Sequence, residues 1–140
     1  MLHLIHPALL HFTVAFVTAG GVCEIAGWLS RREALSRFGG LLLLIGLASL
    51  VPTVVSGYLA ANTVSLTDRS RALLERHEAC GWYVLGVLFG AQFWKAWCRG
   101  RLGPRAQRFY IALIALVVLC TIWGAWLGGQ MVYLHGVGVR

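Results

Sequence analysis

Four apolar stretches separated by short polar connections organise the chain. The first runs from about Pro7 to Leu29 and carries one charge, Glu24. The second, Phe38 to Ala61, carries none; the third, from about Cys80 to Trp97, has Lys95 at its edge; the fourth, Phe109 to Leu134, is again uncharged. An α-helix rising ~1.5 Å per residue needs ~20 residues to cross ~30 Å of hydrocarbon. A membrane strand would need alternating polarity and a closed barrel, and these stretches do not alternate. The pattern predicts an all-α fold: one integral membrane domain over residues 1–140, built as a four-transmembrane-helix bundle. Pro7 suits the first turn of the first helix, where its missing N–H costs nothing. Pro52 predicts a kink in the second, with Ser49, Thr53 and Ser56 able to satisfy the freed backbone. Gly86 and Gly90, and Gly124 and Gly128, have the G-x-x-x-G spacing that lets helices approach closely.

Composition narrows the class. Of 140 residues, 59% are hydrophobic and 12% charged, and the mean hydropathy is +0.74. A body this small has too much surface to hide so much apolar side chain from water. That excludes an ordinary soluble enzyme, a disordered chain and a nucleic-acid-binding module, and it makes membrane lipid the first partner. The net charge of +7 lies in clusters between the stretches. Arg31, Arg32 and Arg37 occupy the first connection. Lys95, Arg99, Arg101, Arg105 and Arg108 surround the third. The central one balances Arg69, Arg71 and Arg76 with Asp68 and Glu75. The positive-inside rule then puts the first and third connections in the cytoplasm and both termini outside. Trp28, Trp94 and Trp97 would mark the inner interface, and Trp82, Tyr58 and Tyr133 the outer one. The four cysteines, Cys23, Cys80, Cys98 and Cys120, have neither metal-site nor disulfide spacing and read as small hydrophobes.

Candidate chemistry lies with the histidines. In this topology His3, His6, His11, His77 and His135 all fall at the outer ends of the helices. Neutral imidazole is the commonest side-chain metal ligand, and an ionisable group inside a membrane reads as functional by default. His11, one turn inside the first helix, is the deepest, and His77 opens the third. Two imidazoles on facing helices are what a b-type haem needs, so His11 and His77 are the expected axial ligands. Gly81, one turn below His77, would leave room for a flat macrocycle, and Arg69, Arg71 and especially Arg76 can pair with its propionates. His6 and His135 are further cofactor-binding candidates. His6 and His11 are five residues apart, ~140° around a helix, so they cannot share one face. Copper is the rival metal, with His3, His6 and His135 as added ligands. For His3 and His135 the plainer role is an interfacial anchor. Glu24 reads as one half of an ion pair with Arg31, Arg32 or Arg105, or as a residue on a proton path.

The opening HPALLHF and the ending GGQMVYLHGVGV together resemble a bacterial family of small four-helix inner-membrane proteins, known as a domain of unknown function under the label "predicted membrane protein". The resemblance covers the whole chain and includes a histidine at the start of the third helix, His77 here. The family often has H-F-P after its first histidine pair, and Thr13 replaces that proline. The resemblance implies a multi-pass protein of the bacterial inner (cytoplasmic) membrane and no particular reaction. The residues and the resemblance together lead to one expectation: a membrane-embedded haem b protein passing electrons between the quinone pool and a periplasmic redox protein, as part of a larger membrane complex. An electron-transfer subunit fits better than a stand-alone enzyme, since no nucleophile with its base is present. A non-enzymatic packing or assembly subunit and a copper-handling membrane protein are the alternatives.

Overall fold

The computed structural model describes residues 2–64 and 66–137, with side chains from Ile5 onward. Four helices follow one another: α1 Leu2–Leu29, α2 Glu33–Ala61, α3 Asp68–Trp97 and α4 Pro104–His135. No strand occurs among the described residues. Each helix outruns its apolar stretch, because hydropathy marks where a helix meets hydrocarbon while capping chemistry marks where it begins. The Thr67 side chain accepts from the Ser70 N–H, and the Ser70 side chain accepts from the Thr67 N–H, a reciprocal cap that starts α3 at Asp68. Arg69, Arg71, Glu75, Arg76 and His77 are therefore helical, and His77 does not open α3 but lies in its third turn. The central connection shrinks to residues 62–67. Likewise α1 starts at Leu2, so His6 is helical and Pro7 sits inside the helix, not at its first position. Pro104 follows Gly103 at the start of α4, where a proline belongs.

Among the described residues three segments are long and apolar enough to cross a membrane: Ile5–Leu29, Glu33–Ala61 and Pro104–His135. The expected all-α four-helix architecture stands, and three of its four expected spans are apolar enough to cross. α3 opens on charges, and its later part is diluted by Gly81, Trp82, Tyr83, Gly86, Gly90 and Gln92.

The helices pack in a ring. α1 lies closest along α2 and α3 along α4, and the two hairpins meet through α1–α4 and α2–α3, which puts α1 diagonally across from α3. Val17, Leu43, Leu50, Val84, Leu88, Tyr110, Ile114 and Val117 fill the centre. Phe12, Leu44, Leu119, Ile122 and Trp126 face outward, an apolar coat suited to lipid. Glycine sets the closest approach, though not where the spacing predicts on α3. A Cβ at Gly86 or Gly90 would meet nothing within 4 Å, so those two face outward. A Cβ at Gly39 would lie 2.4 Å from the Glu24 backbone nitrogen, and one at Gly27 2.4 Å from that of Ser36. The α1–α2 seam is thus the tight one. On α4 the expectation holds: a Cβ at Gly124 would come within 3.3 Å of Cys80 Cβ, and one at Gly128 within 3.3 Å of the His77 ring.

Candidate cofactor site

His6 of α1 turns towards the bundle axis and seats its ring on Gly57 of α2, where a Cβ would lie 2.7 Å from the ring Cε1. Its Nδ1 donates to the Thr53 carbonyl at 2.9 Å, with the Ser56 hydroxyl 3.4 Å away. His77 of α3 makes the matching arrangement on α4. Its Nδ1 donates to the Gly124 carbonyl at 2.8 Å, and its Cε1 packs over Gly128. The two rings are neighbours, 6.2 Å between centres and nearly perpendicular at 89°. A carbonyl only accepts, so Nδ1 carries the proton in each ring, and a neutral imidazole then keeps its lone pair on Nε2. A backbone carbonyl on the far nitrogen is the usual device that fixes a metal-binding imidazole. Two imidazoles bound end-on to one metal, each at about 2.0–2.1 Å, hold their ring centres about 6 Å apart.

The other sequence candidates lie elsewhere. His11 is exposed, and its Nδ1 bonds to the Pro7 carbonyl one turn back on its own helix. It is not the deepest histidine, and it does not meet His77. With α1 and α3 on a diagonal, only a side chain on the axial face of α1 reaches α3, and His6 occupies that face. The ~140° between the two positions turns His11 away. His135 ends α4 and lines an open cleft of about 530 Å³ with Arg69, Ala72, Leu73, Arg76, Gln130 and Leu134. Neither Arg69 nor Arg76 has a carboxylate partner; the ion pair among the described residues is Lys95 with Glu24. Gly81 is only half open, with the Val54 side chain 3.7 Å from where its Cβ would be. The side chain of His3 and residues 138–140 lie outside the described residues. Among the described residues no group of three or more His, Cys, Asp or Glu side chains comes together as a metal cage.

The opposite end of the bundle holds the contact that sequence reasoning missed. Glu24 pairs with Lys95 at 2.6 Å, not with Arg31, Arg32 or Arg105. A signal was present: each is the lone charge in its apolar stretch, and lone opposite charges within one bundle are natural partners.

The family model described as Predicted membrane protein (DUF2231) matches residues 2–140. Neither a curated protein nor a solved structure matches the chain. With four helices, three of them apolar enough to span, and a match over nearly its whole length, the chain belongs to this family of predicted membrane proteins.

Proposed function

We propose that the protein is a b-type haem carrier of the bacterial inner membrane, with His6 and His77 as axial ligands and both termini on the periplasmic side. The observation that carries this reading is the perpendicular His6–His77 pair, 6.2 Å between ring centres, each ring anchored through Nδ1 to a backbone carbonyl. Two protein ligands suffice for haem, because the macrocycle supplies the iron's remaining bonds. A copper or zinc site usually draws on three or more side chains. Haem would supply one-electron chemistry, and the protein would supply ligands, orientation and a dry setting. Gly57 and Gly128 let the two imidazoles seat against α2 and α4, and Arg69 and Arg76 line an open cleft with His135, guanidiniums of the kind that pair with propionates. In this role it passes electrons between membrane quinone and a periplasmic redox partner within a larger complex.

A reduced-minus-oxidised spectrum of protein purified after expression with ample haem supply tests the reading. A low-spin b-type spectrum at about one haem per chain is expected. Protein that stays colourless under those conditions contradicts it.

A further inference from the structure

Glu24 is fully buried in α1, eighteen residues from His6 and so about 27 Å along the helix from the histidine pair. Its Oε1 accepts from Lys95 Nζ at 2.6 Å and from Ser36 Oγ at 2.9 Å. Its Oε2, equally buried, accepts nothing from the described residues. Lys95 lies over the Tyr110 ring, 4.7 Å from its centre, and the Tyr110 hydroxyl accepts from Gln92 Nε2 at 3.3 Å. The Lys95 side chain is 22% exposed against 0% for Glu24, so Lys95 is the member of the pair that reaches the surroundings.

Gly40 adds a second observation. The point its Cβ would occupy lies 3.4 Å from Glu24 Oε2 and 3.7 Å from Lys95 Nζ, with no other atom of a neighbouring helix within 4 Å. Those are ordinary contact distances for a methyl, so α2 closes over the pair with nothing larger than a glycine hydrogen and Oε2 is left without a donor. With Oε2 unpartnered the pair is poorly compensated. Desolvating two charges costs more than their attraction returns unless the remaining lone pairs are filled.

We propose that Glu24 and Lys95 form a proton-exchange site, loaded through Lys95 from the membrane side opposite the histidine pair, with the unpartnered Oε2 as the atom that takes the proton. In the exchange the Lys95 ammonium gives a proton to the Glu24 carboxylate, leaving a neutral amine and a neutral acid. The amine then takes a proton from water on its exposed side, releasing hydroxide to that side, and becomes an ammonium again. The net change is one proton gained by Glu24, and the reverse sequence releases it. The titratable groups facing Glu24 from the packed helices are Lys95 of α3 and Tyr110 of α4. From α2 comes the Ser36 hydroxyl, which does not titrate. The proposal stands independently of haem binding.

Infrared spectra of the full-length protein in lipid nanodiscs, taken between about pH 4 and pH 9, test it through the protonated-carboxyl stretch. Wild type should show one band that appears and disappears reversibly and is missing from Glu24→Gln. If that variant does not fold, Glu24→Asp assigns the band by moving it. Lys95→Met removes the cation that favours the ionised form, so the half-point should move to higher pH by at least about tenfold in proton affinity. Gly40→Ala sets a methyl in contact with both charged groups, restricting the movement that exchange needs, and should slow hydrogen–deuterium exchange of the band severalfold. A wild-type Glu24 that stays in one protonation state across the range, or a half-point unmoved by Lys95→Met, overturns the proposal and leaves a fixed structural pair.

Discussion

A histidine's usefulness here turns on where its Nδ1 is spent. His6 and His77 spend it across helices, on Thr53 and Gly124, so each ring is held by a neighbouring element. His11 spends it on Pro7 of its own helix and faces outward. The sequence holds the 140° separation of His6 and His11 but not which of them points inward. α1 is apolar on every side, because lipid is as apolar as the bundle interior, and hydrophobic periodicity is then silent about facing. Ring seating gives a graded prediction. Gly57→Ala puts a methyl 2.7 Å from the His6 Cε1, inside any normal contact, whereas Gly128→Ala puts one 3.3 Å from the His77 Cε1, a mild squeeze. Both variants keep both histidines. Electron paramagnetic resonance of the oxidised haem should show a substantial high-spin fraction in Gly57→Ala and little in Gly128→Ala. The opposite ranking would mean that His6 is not a ligand.

At the scale of helices, glycine spacing alone misleads. Gly86 and Gly90 have the packing motif but meet nothing, while Gly27 and Gly39 sit where backbones nearly touch. The sequence identifies glycines that permit close approach, and only the ring order of the helices selects the ones that use it. Gly39→Ala should lower stability in detergent by about 1–3 kcal/mol, the usual cost of forcing a methyl into a packed interior. Gly86→Ala should be neutral or stabilising by up to about 1 kcal/mol, since alanine is the better helix former. Thermal melts of the two variants beside wild type check both. A Gly39→Ala protein that melts like wild type would mean that the α1–α2 seam is looser than described. Helix starts show the same division. The apolar stretches were legible, and the Thr67–Ser70 cap that lengthens α3 back to Asp68 is written in short polar residues that hydropathy does not weigh.

For the whole molecule, the bundle puts the histidine pair at one end and Glu24 with Lys95 at the other, and the proposed orientation, which rests on the arginine distribution, sets those ends on opposite sides of the membrane. Eight Arg and Lys residues flank the Glu24 end, against three in the first turns of α3 and Arg140. A reporter fused after Arg140 should be active only in its periplasmic form; activity of a cytoplasmic reporter there would reverse the orientation and the side from which each end is reached. Helix number, all-α class and membrane residence follow directly from the hydropathy pattern. The ring order does not, because in lipid each helix could present several equally apolar faces to its neighbours.

The proposed joint hold of His6 and His77 on one haem is read from the visible spectra of three alanine variants beside wild type. His6→Ala and His77→Ala should each turn the iron high-spin or lose the haem, while His11→Ala should keep the wild-type spectrum. A wild-type spectrum retained in both His6→Ala and His77→Ala, or lost in His11→Ala alone, would mean that this pair does not hold the haem.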